Sequence, residues 1–574
     1  MRDFIKNLKY SWQFSRSSLR YIIGFIICSI ASIIISVVVP ILSSIIIVNL
    51  TTNELMQVVF ITIILFLVES TRNIINYLSS FFSEVTYRDS LIKIQKKIGR
   101  EILKIENKCL DSNSSGVFIE RITNDTSNIS SVFNDISFYL TEIITNIGIF
   151  VAILIICPPA FVFLFIMVLI IWIFDNIRVD ILNKKDKEYR KKREKVAGFI
   201  TELVRGVRDI KMLSAEKTFI KRFDNQVEDI INNLFLRNKT ARMYGIIRGF
   251  LLDILDFSMI LLLVYLISKD SLAIASALVI HNYMGKVTNI IYAFGSLLEK
   301  IKSFNLSSNR IIDIINDNGF SKEKFGSKHL TKVKGNFLFK NVYFKYSDNY
   351  VLKDLSFEIK ANTTTAIVGK SGAGKSTIFN LICKMYDINE GSISIDGEDI
   401  YSLDRKSIRD NITIISQNPY IFNLSIRDNL MLVKENVSDD EIKEACHLAC
   451  LDDFIESLPD GYDTIVGEGG ISLSGGERQR LAIARALIQK TEIILFDEAT
   501  SALDNETQKK IQEAINNMKK DYTIVIIAHR LSTIVNSDRI LFLEDGKIAS
   551  EGTHKELLKK CKGYKSLYNN EIGK

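Results

Sequence analysis

From Tyr21 to Asn53 the chain carries no charged residue, and the run is strongly apolar to about Leu50. About 20 such residues cross the hydrocarbon core of a bilayer as a helix, so this stretch leaves few folds open to the first part of the chain. A second apolar run, with polar interruptions, extends from Leu55 to about Phe82. The charge-free stretch from Ile143 to Phe174 is too long for one span, and Pro158-Pro159 divides it into two joined by a tight turn. The reading is six spans, at 21–50, 55–82, 137–157, 160–182, 244–267 and 272–298, within a membrane domain covering 1–318.

Lys and Arg set the orientation. They precede the first span (Arg2, Lys6, Lys9, Arg16, Arg20) and crowd the segment after the second (Arg88, Lys93, Lys96, Lys97, Arg100). The loop after the first span and the double-proline turn have none. Both termini are therefore expected in the cytoplasm, with very short outer loops. The inner segments, 84–136 and 183–243, carry apolar residues at helical spacing, as in EVTYRDSLIKIQKKIGREILKI. Two readings stand: separate soluble hairpins, or spans that continue as helices, with tips near 111–118 and 211–219.

The net charge of +7 is modest, and the basic excess flanks apolar segments. That fits a membrane surface and gives no footprint for nucleic acid. The seven Cys are scattered without a CxxC pair and read as free thiols. The first apolar run is too long for a cleaved signal peptide. A polar, Lys-rich linker is expected at 319–335, NGFSKEKFGSKHLTKVK being its core. From 336 to 574 short β-rich runs alternate with helical ones, the pattern of an α/β domain.

Within that domain, TTAIVGKSGAGKSTIFNLICKMY reads as strand, glycine-rich turn and helix. It satisfies GxxxxGK[ST] through Gly369, Lys370, Ser371, Gly372, Ala373, Gly374, Lys375 and Ser376, followed by Thr377. Glycines let backbone N–H groups surround phosphate oxygens, Lys375 reaches the outer phosphates, and the Ser376 hydroxyl can bind Mg²⁺. In EIILFDEATSALD a buried strand ends in Asp497 and Glu498. One acid can hold Mg²⁺ and the other can polarise the water that attacks a γ-phosphate. In ISLSGGERQRLAIARAL, Ser474 is an N-cap, Gly475 and Gly476 permit close backbone approach, and Glu477 lies in the first turn. This helix start is a second anion site in one domain.

These motifs together resemble the ATP-binding cassette (ABC) transporters, specifically the six-span exporter half-transporters, and the resemblance covers nearly the whole chain. It implies an α-helical six-span transmembrane domain followed by an α/β P-loop ATPase domain with a helical subdomain, the type IV exporter fold. LSGGE matches the family signature, with Glu477 in place of the usual Gln. The resemblance also implies roles for Gln417 in IISQNPYIF (Q-loop, nucleotide sensor and Mg²⁺ ligand) and Tyr346 in FKYSD (adenine stacking). Asp504 is implied as the D-loop residue and His529 as the switch histidine. Glu468 sits where such exporters contact their membrane domains, and Glu498 is the implied general base. SSGVFIERITND and ELVRGVRDIKMLSAEKTFIKRF resemble the family's two intracellular loops. In this family two nucleotide domains pair head to tail. The P-loop of one and Ser474, Gly475, Gly476, Glu477 and Asp504 of the other then enclose one ATP. The implied partner is a second half-transporter, a homodimer sufficing and a heterodimer remaining open.

Charged residues recur inside the spans: Glu69, Arg72, Glu142, Asp175, Arg178, Asp253, Asp256 and Lys286. At about 1.5 Å rise per residue they form one layer some 20–25 Å below the outer surface. The layer has five acids against three bases. Structural ion pairs at i, i+3 and a cargo cavity favouring cations are both open readings. The expected activity is ATP-driven export of amphiphilic or peptide-like cargo, cationic cargo among it. A lipid flippase of the same fold and an ATP-dependent sensor or gated channel are the alternatives. The abundance of Ile, Lys and Asn points to an AT-rich bacterial source, hence a multi-pass protein of the bacterial plasma membrane in contact with lipid.

Overall fold

The double proline ends one helix and starts the next. Helix Val132–Ile156 stops at Cys157, whose backbone is extended (φ −153°, ψ 92°), and Pro158 begins the helix Pro158–Met212. Proline has no N–H to donate, and its ring clashes with a preceding helical turn, but at a first helical position neither matters. A computed structural model of the chain describes residues 2–113, 115–287, 289–434, 436–467, 470–497, 522–527 and 534–572. The chain divides into two units, one of Met1–Leu103 with Gly116–Asn318, the other of Lys104–Ser115 with Gly319–Lys574.

The first unit is helical. After Arg2–Ser15 come Leu19–Thr51, Leu55–Ile102, Val132–Ile156, Pro158–Met212, Glu216–Ser268, Ile274–Val287 and Asn289–Ile315. Leu55–Ile102, Pro158–Met212 and Glu216–Ser268 each carry an apolar stretch and a charged stretch on one unbroken helix. Of the two readings of the inner segments, the continuous one describes these helices. The charged stretches of Pro158–Met212 and Glu216–Ser268 pair with each other. Arg237 Nε lies 2.8 Å from Asp186, Lys192 Nζ lies 2.8 Å from Asp229, and the Phe199 ring stacks on Phe219 and Phe223.

Among the described residues five helices are long and apolar enough to cross a membrane. The sixth expected span, 272–298, includes the helix Ile274–Val287 and the start of the helix Asn289–Ile315, with residue 288 outside the described residues. The packed interior of the unit includes Ile149, Ile153, Ile171, Met259, Ile280 and Tyr283, all with essentially no exposure. The Tyr283 hydroxyl donates to the Val37 carbonyl at 2.8 Å. Outward faces expose large apolar side chains, such as Phe66 and Phe250, as lipid-facing helices must.

The second unit is built on strands β1 (Phe337–Phe344), β2 (Leu352–Ile359), β3 (Thr364–Gly369), β4 (Glu390–Ile395), β5 (Glu398–Asp399) and β6 (Ile412–Ile415). These are followed by β7 (Leu424–Ser425), β8 (Ile465–Val466), β9 (Ile493–Asp497), β10 (Thr523–Ile527), β11 (Arg539–Glu544) and β12 (Lys547–Gly552). An antiparallel sheet runs β2-β1-β4-β5, and a six-stranded sheet runs β12-β11-β3-β10-β9-β6. In the larger sheet β11, β3, β10, β9 and β6 are parallel. β3 and β10 are buried at every position, as fits strands covered on both faces. A helical portion follows β6, with Asp439–Leu448 packing against Gly475–Gln489 in one apolar cluster.

Candidate nucleotide and membrane sites

Parallel register puts the phosphate chemistry at one sheet edge. Ile527 of β10 pairs with Ile367 of β3 on one side and with Asp497 of β9 on the other. The glycine loop leaves β3 two residues after Ile367, so Gly369 and Asp497 emerge at the same carboxyl edge, where open α/β sheets bind ligands. Gly374 caps the following helix, Lys375–Ile382, with φ +103°, and a Cβ there would lie 2.7 Å from Leu352. At Gly369 a Cβ would meet the Leu543 carbonyl at 2.2 Å. Only glycine fits either position.

Lys375 is buried, and its Nζ donates to the Gly369 and Lys370 carbonyls at 3.0 Å each. The ammonium thus lies across the loop formed by Lys370, Ser371, Gly372 and Ala373. Ser376 Oγ lies 3.5 Å from Asp497 Oδ1. These are hard oxygen donors of the type Mg²⁺ prefers, converging from two elements. Tyr346 stands beside the loop, its hydroxyl 3.3 Å from Thr377 Oγ1.

The second anion site is a capped helix start. Ser474 Oγ accepts from the Glu477 N–H at 3.3 Å, and the Ser474 N–H donates to Glu477 Oε2 at 2.7 Å. This capping box accounts for Glu477, since glutamate and glutamine serve equally at the third helical position. Gly475 and Gly476 form the first turn. One residue the motif reading passed over ties this helix to the Q-loop. Gln479, 1% exposed, donates through Nε2 to the Gln417 carbonyl at 3.0 Å. A glutamine between two arginines in a helix gives no sequence signal for that bond.

Residues 319–335, expected as a linker, are fastened to the nucleotide unit. Glu323 accepts both Arg409 Nη atoms, at 2.6 and 2.9 Å, and the Phe325 ring lies under the cations Lys384 and Arg409. The Gly326 N–H donates to the Leu403 carbonyl at 2.8 Å. Residues 104–115 belong to the same unit. The Glu106 N–H donates to Ser321 O and the Glu323 N–H to Lys104 O, each at 2.9 Å, and Tyr386 Oη bonds the Asp111 carboxylate. Burial and then the Asp111 carboxylate push the Tyr386 phenol up. These segments, with Tyr346 and Tyr386, line a cleft of about 250 Å³.

In the first unit the charged layer is partly paired. Arg72 and Glu69 are 2.6 Å apart. Arg178 Nε lies 3.2 Å from Asp175 Oδ1, without hydrogen-bond alignment, whereas Arg248 Nε donates to Asp175 Oδ2 at 3.3 Å. Arg248 joins the layer through this bond, so five acids face four bases and the formal surplus is one negative charge instead of two. Among the described residues Glu142, Asp253 and Asp256 make no ion pair, and Asp256 lies within electrostatic reach of Asp253 and His281. The side chain of Lys286, together with Glu468, Glu498, Asp504 and His529, lies outside the described residues.

A membrane-embedded helical unit and a P-loop ATPase on one chain define the class as a primary transporter. Comparison with known proteins gives the family: residues 22–291 match the ABC transporter transmembrane region and residues 352–501 the ABC transporter domain. The chain is 30% identical over 531 residues, 91% of both chains, to a Staphylococcus aureus protein provisionally named a multidrug export ATP-binding/permease protein. It is 31% identical over 503 residues to the heterocyst differentiation ATP-binding protein HepA of Nostoc, covering 87% of this chain and 82% of that one. The structure of a bacterial Atm1-family ABC exporter with ATP bound superposes with a TM-score of 0.82 at 25% identity, over 97% of this chain and 98% of that one. The chain belongs to the ABC transporters, as an exporter-type half-transporter. It is an integral membrane protein whose P-loop domain binds ATP and couples its hydrolysis to transport.

Proposed function

We propose that two copies of this chain form an exporter in the bacterial plasma membrane, with both ATPase domains in the cytoplasm. Each ATP is held by Gly369–Thr377 of one copy and by Ser474, Gly475, Gly476, Glu477 and Asp504 of the other. The observation that carries this reading is the convergence of Lys375, Ser376 and Asp497 at one sheet edge. Tyr346 stacks on the base. Lys375 neutralises the outer phosphates, and Ser376, Gln417 and Asp497 would hold Mg²⁺, which supplies charge neutralisation on the β- and γ-phosphates. Glu498 takes the proton of the attacking water, and His529 and Gln417 sense the γ-phosphate. Loss of the γ-phosphate weakens the joint grip, so closure and opening are two ligand-biased states. Glu498→Gln is expected to bind ATP and hold the closed dimer while nearly stopping turnover. Rapid turnover in that variant overturns the assignment.

The cargo is amphiphilic or peptide-like, with a preference for cations. What supports this is the difference between Asp175, matched by two arginines, and Glu142, Asp253 and Asp256, which no described cation matches. Uptake of an amphiphilic cation into inverted vesicles tests it. Asp253→Asn with Asp256→Asn should slow uptake while ATP hydrolysis survives. Unchanged uptake makes the layer structural. Hydrolysis with no accumulation of any cargo by the unmodified protein favours the sensor or channel reading, and movement of labelled lipid between leaflets favours the flippase.

A further inference from the structure

Tyr346 is part-exposed, yet its ring and its hydroxyl are both fixed. Phe344 meets the ring edge-to-face at 4.7 Å and Tyr386 at 5.0 Å, both at 89°. Asn380 Nδ2 donates to Tyr346 Oη at 3.2 Å, and Tyr346 Oη donates to Thr377 Oγ1 at 3.3 Å. Thr377 and Asn380 are three residues apart on the helix Lys375–Ile382, so they share one face of it. The chain of bonds has a direction. An amide NH₂ only donates, so the phenol oxygen accepts from Asn380 and turns its own proton to Thr377. Thr377 Oγ1 is then an acceptor toward Tyr346, and its proton is left for another acceptor. Thr377 is 6% exposed and lies in the first turn of the helix that follows the glycine loop, so with ATP bound on that loop the acceptor at hand would be a phosphate oxygen. Hydrogen bonds in series polarise one another, so each donor strengthens the next.

We infer that Asn380 is a positioning residue for nucleotide binding. Through Tyr346 it orients Thr377 as a donor to phosphate, which sets the base platform and the phosphate grip as one preorganised unit. This rests on the reading of Tyr346 and the glycine loop as the ATP site.

Steady-state ATP hydrolysis by the full-length protein in nanodiscs tests it. Asn380→Ala and Tyr346→Phe, which keeps the ring, should each raise KM for ATP about three- to tenfold, with more of the loss in KM than in kcat. The double variant should be no worse than the worse single one, since both break the same relay. Asn380→Asp should exceed Asn380→Ala, because a carboxylate accepts the Tyr346 proton and reverses the direction. Additive effects, an unchanged KM, or an Asn380→Asp protein with the unmodified KM overturns the inference. Lys375→Ala reports on the underlying reading separately: full turnover in that variant removes the site itself, whereas an inactive Lys375→Ala beside an unchanged Asn380→Ala removes only the relay.

Discussion

Ser474 and Glu477 bond each other's main chain, each side chain satisfying an N–H that the start of the helix Gly475–Gln489 would otherwise leave unpaired. The pairing uses Glu477 as the third-position partner of a cap, a role that glutamine fills with the same geometry. Glu477→Gln should therefore keep the first turn protected from amide hydrogen exchange. Glu477→Ala should speed exchange at residues 474–478 and cost about 0.5–2 kcal/mol of local stability. Equal protection in both variants would mean that the bond from the Ser474 N–H to the Glu477 side chain contributes nothing.

Arg409 and Glu323 form a two-pronged pair with side chains 17% and 12% exposed. Removing one partner leaves a poorly hydrated charge behind. Arg409→Ala should lower the unfolding free energy by about 2–4 kcal/mol, while Arg409→Met with Glu323→Met recovers much of the loss. Denaturant titration followed by a fluorophore on the linker reads this. A single variant indistinguishable from the unmodified protein would show that residues 319–335 are not fastened in solution.

Asp404 caps the helix Arg405–Arg409 and faces His329, and hydrogen bonds from Ser407 first, then His329, hold its carboxyl at about 2 against an ordinary 3.8. The folded-state value is depressed, so the contribution is present above pH 3.8 and is lost as the pH falls through that value toward 2. Asp404→Asn should lower Tm at neutral pH, with the gap to the unmodified protein closing below pH 4. A gap independent of pH would assign the effect to packing.

Asp175 is matched by Arg178 and Arg248. Arg248→Met should leave Asp175 with one misaligned partner and destabilise the protein by about 1–3 kcal/mol, and adding Asp175→Asn should reverse most of that. Thermal melts of the purified protein check this. No recovery in the double variant would mean that Arg248 acts elsewhere.

The features legible in the sequence are those whose chemistry is local. The glycine loop, the Ser474 cap and the double-proline break each depend on a few adjacent residues, and each stands where its residue types require. The pairing of Asp175 with Arg248 joins residues 73 positions apart, and the bond from Gln479 to Gln417 spans 62. Nothing in either neighbourhood announces the other. The Lys-rich composition of 319–335 suggests a solvated linker, yet Glu323, Phe325 and Gly326 within it make its tertiary contacts. The sequence reads the tip of the first helical hairpin near 111–118, and the backbone pairing of Lys104 and Glu106 with Glu323 and Ser321 goes with the assignment of 104–115 to the nucleotide unit.

The central claim is that each ATP is held by two copies. Mixing Lys375→Ala protein with Ser474→Arg protein, each inactive alone, tests it directly. Mixed dimers contain one site built from intact halves, so random assembly should restore about a quarter of the unmodified ATPase rate. Full hydrolysis by Ser474→Arg dimers on their own, or no recovery in mixed dimers verified by pull-down, would contradict the account.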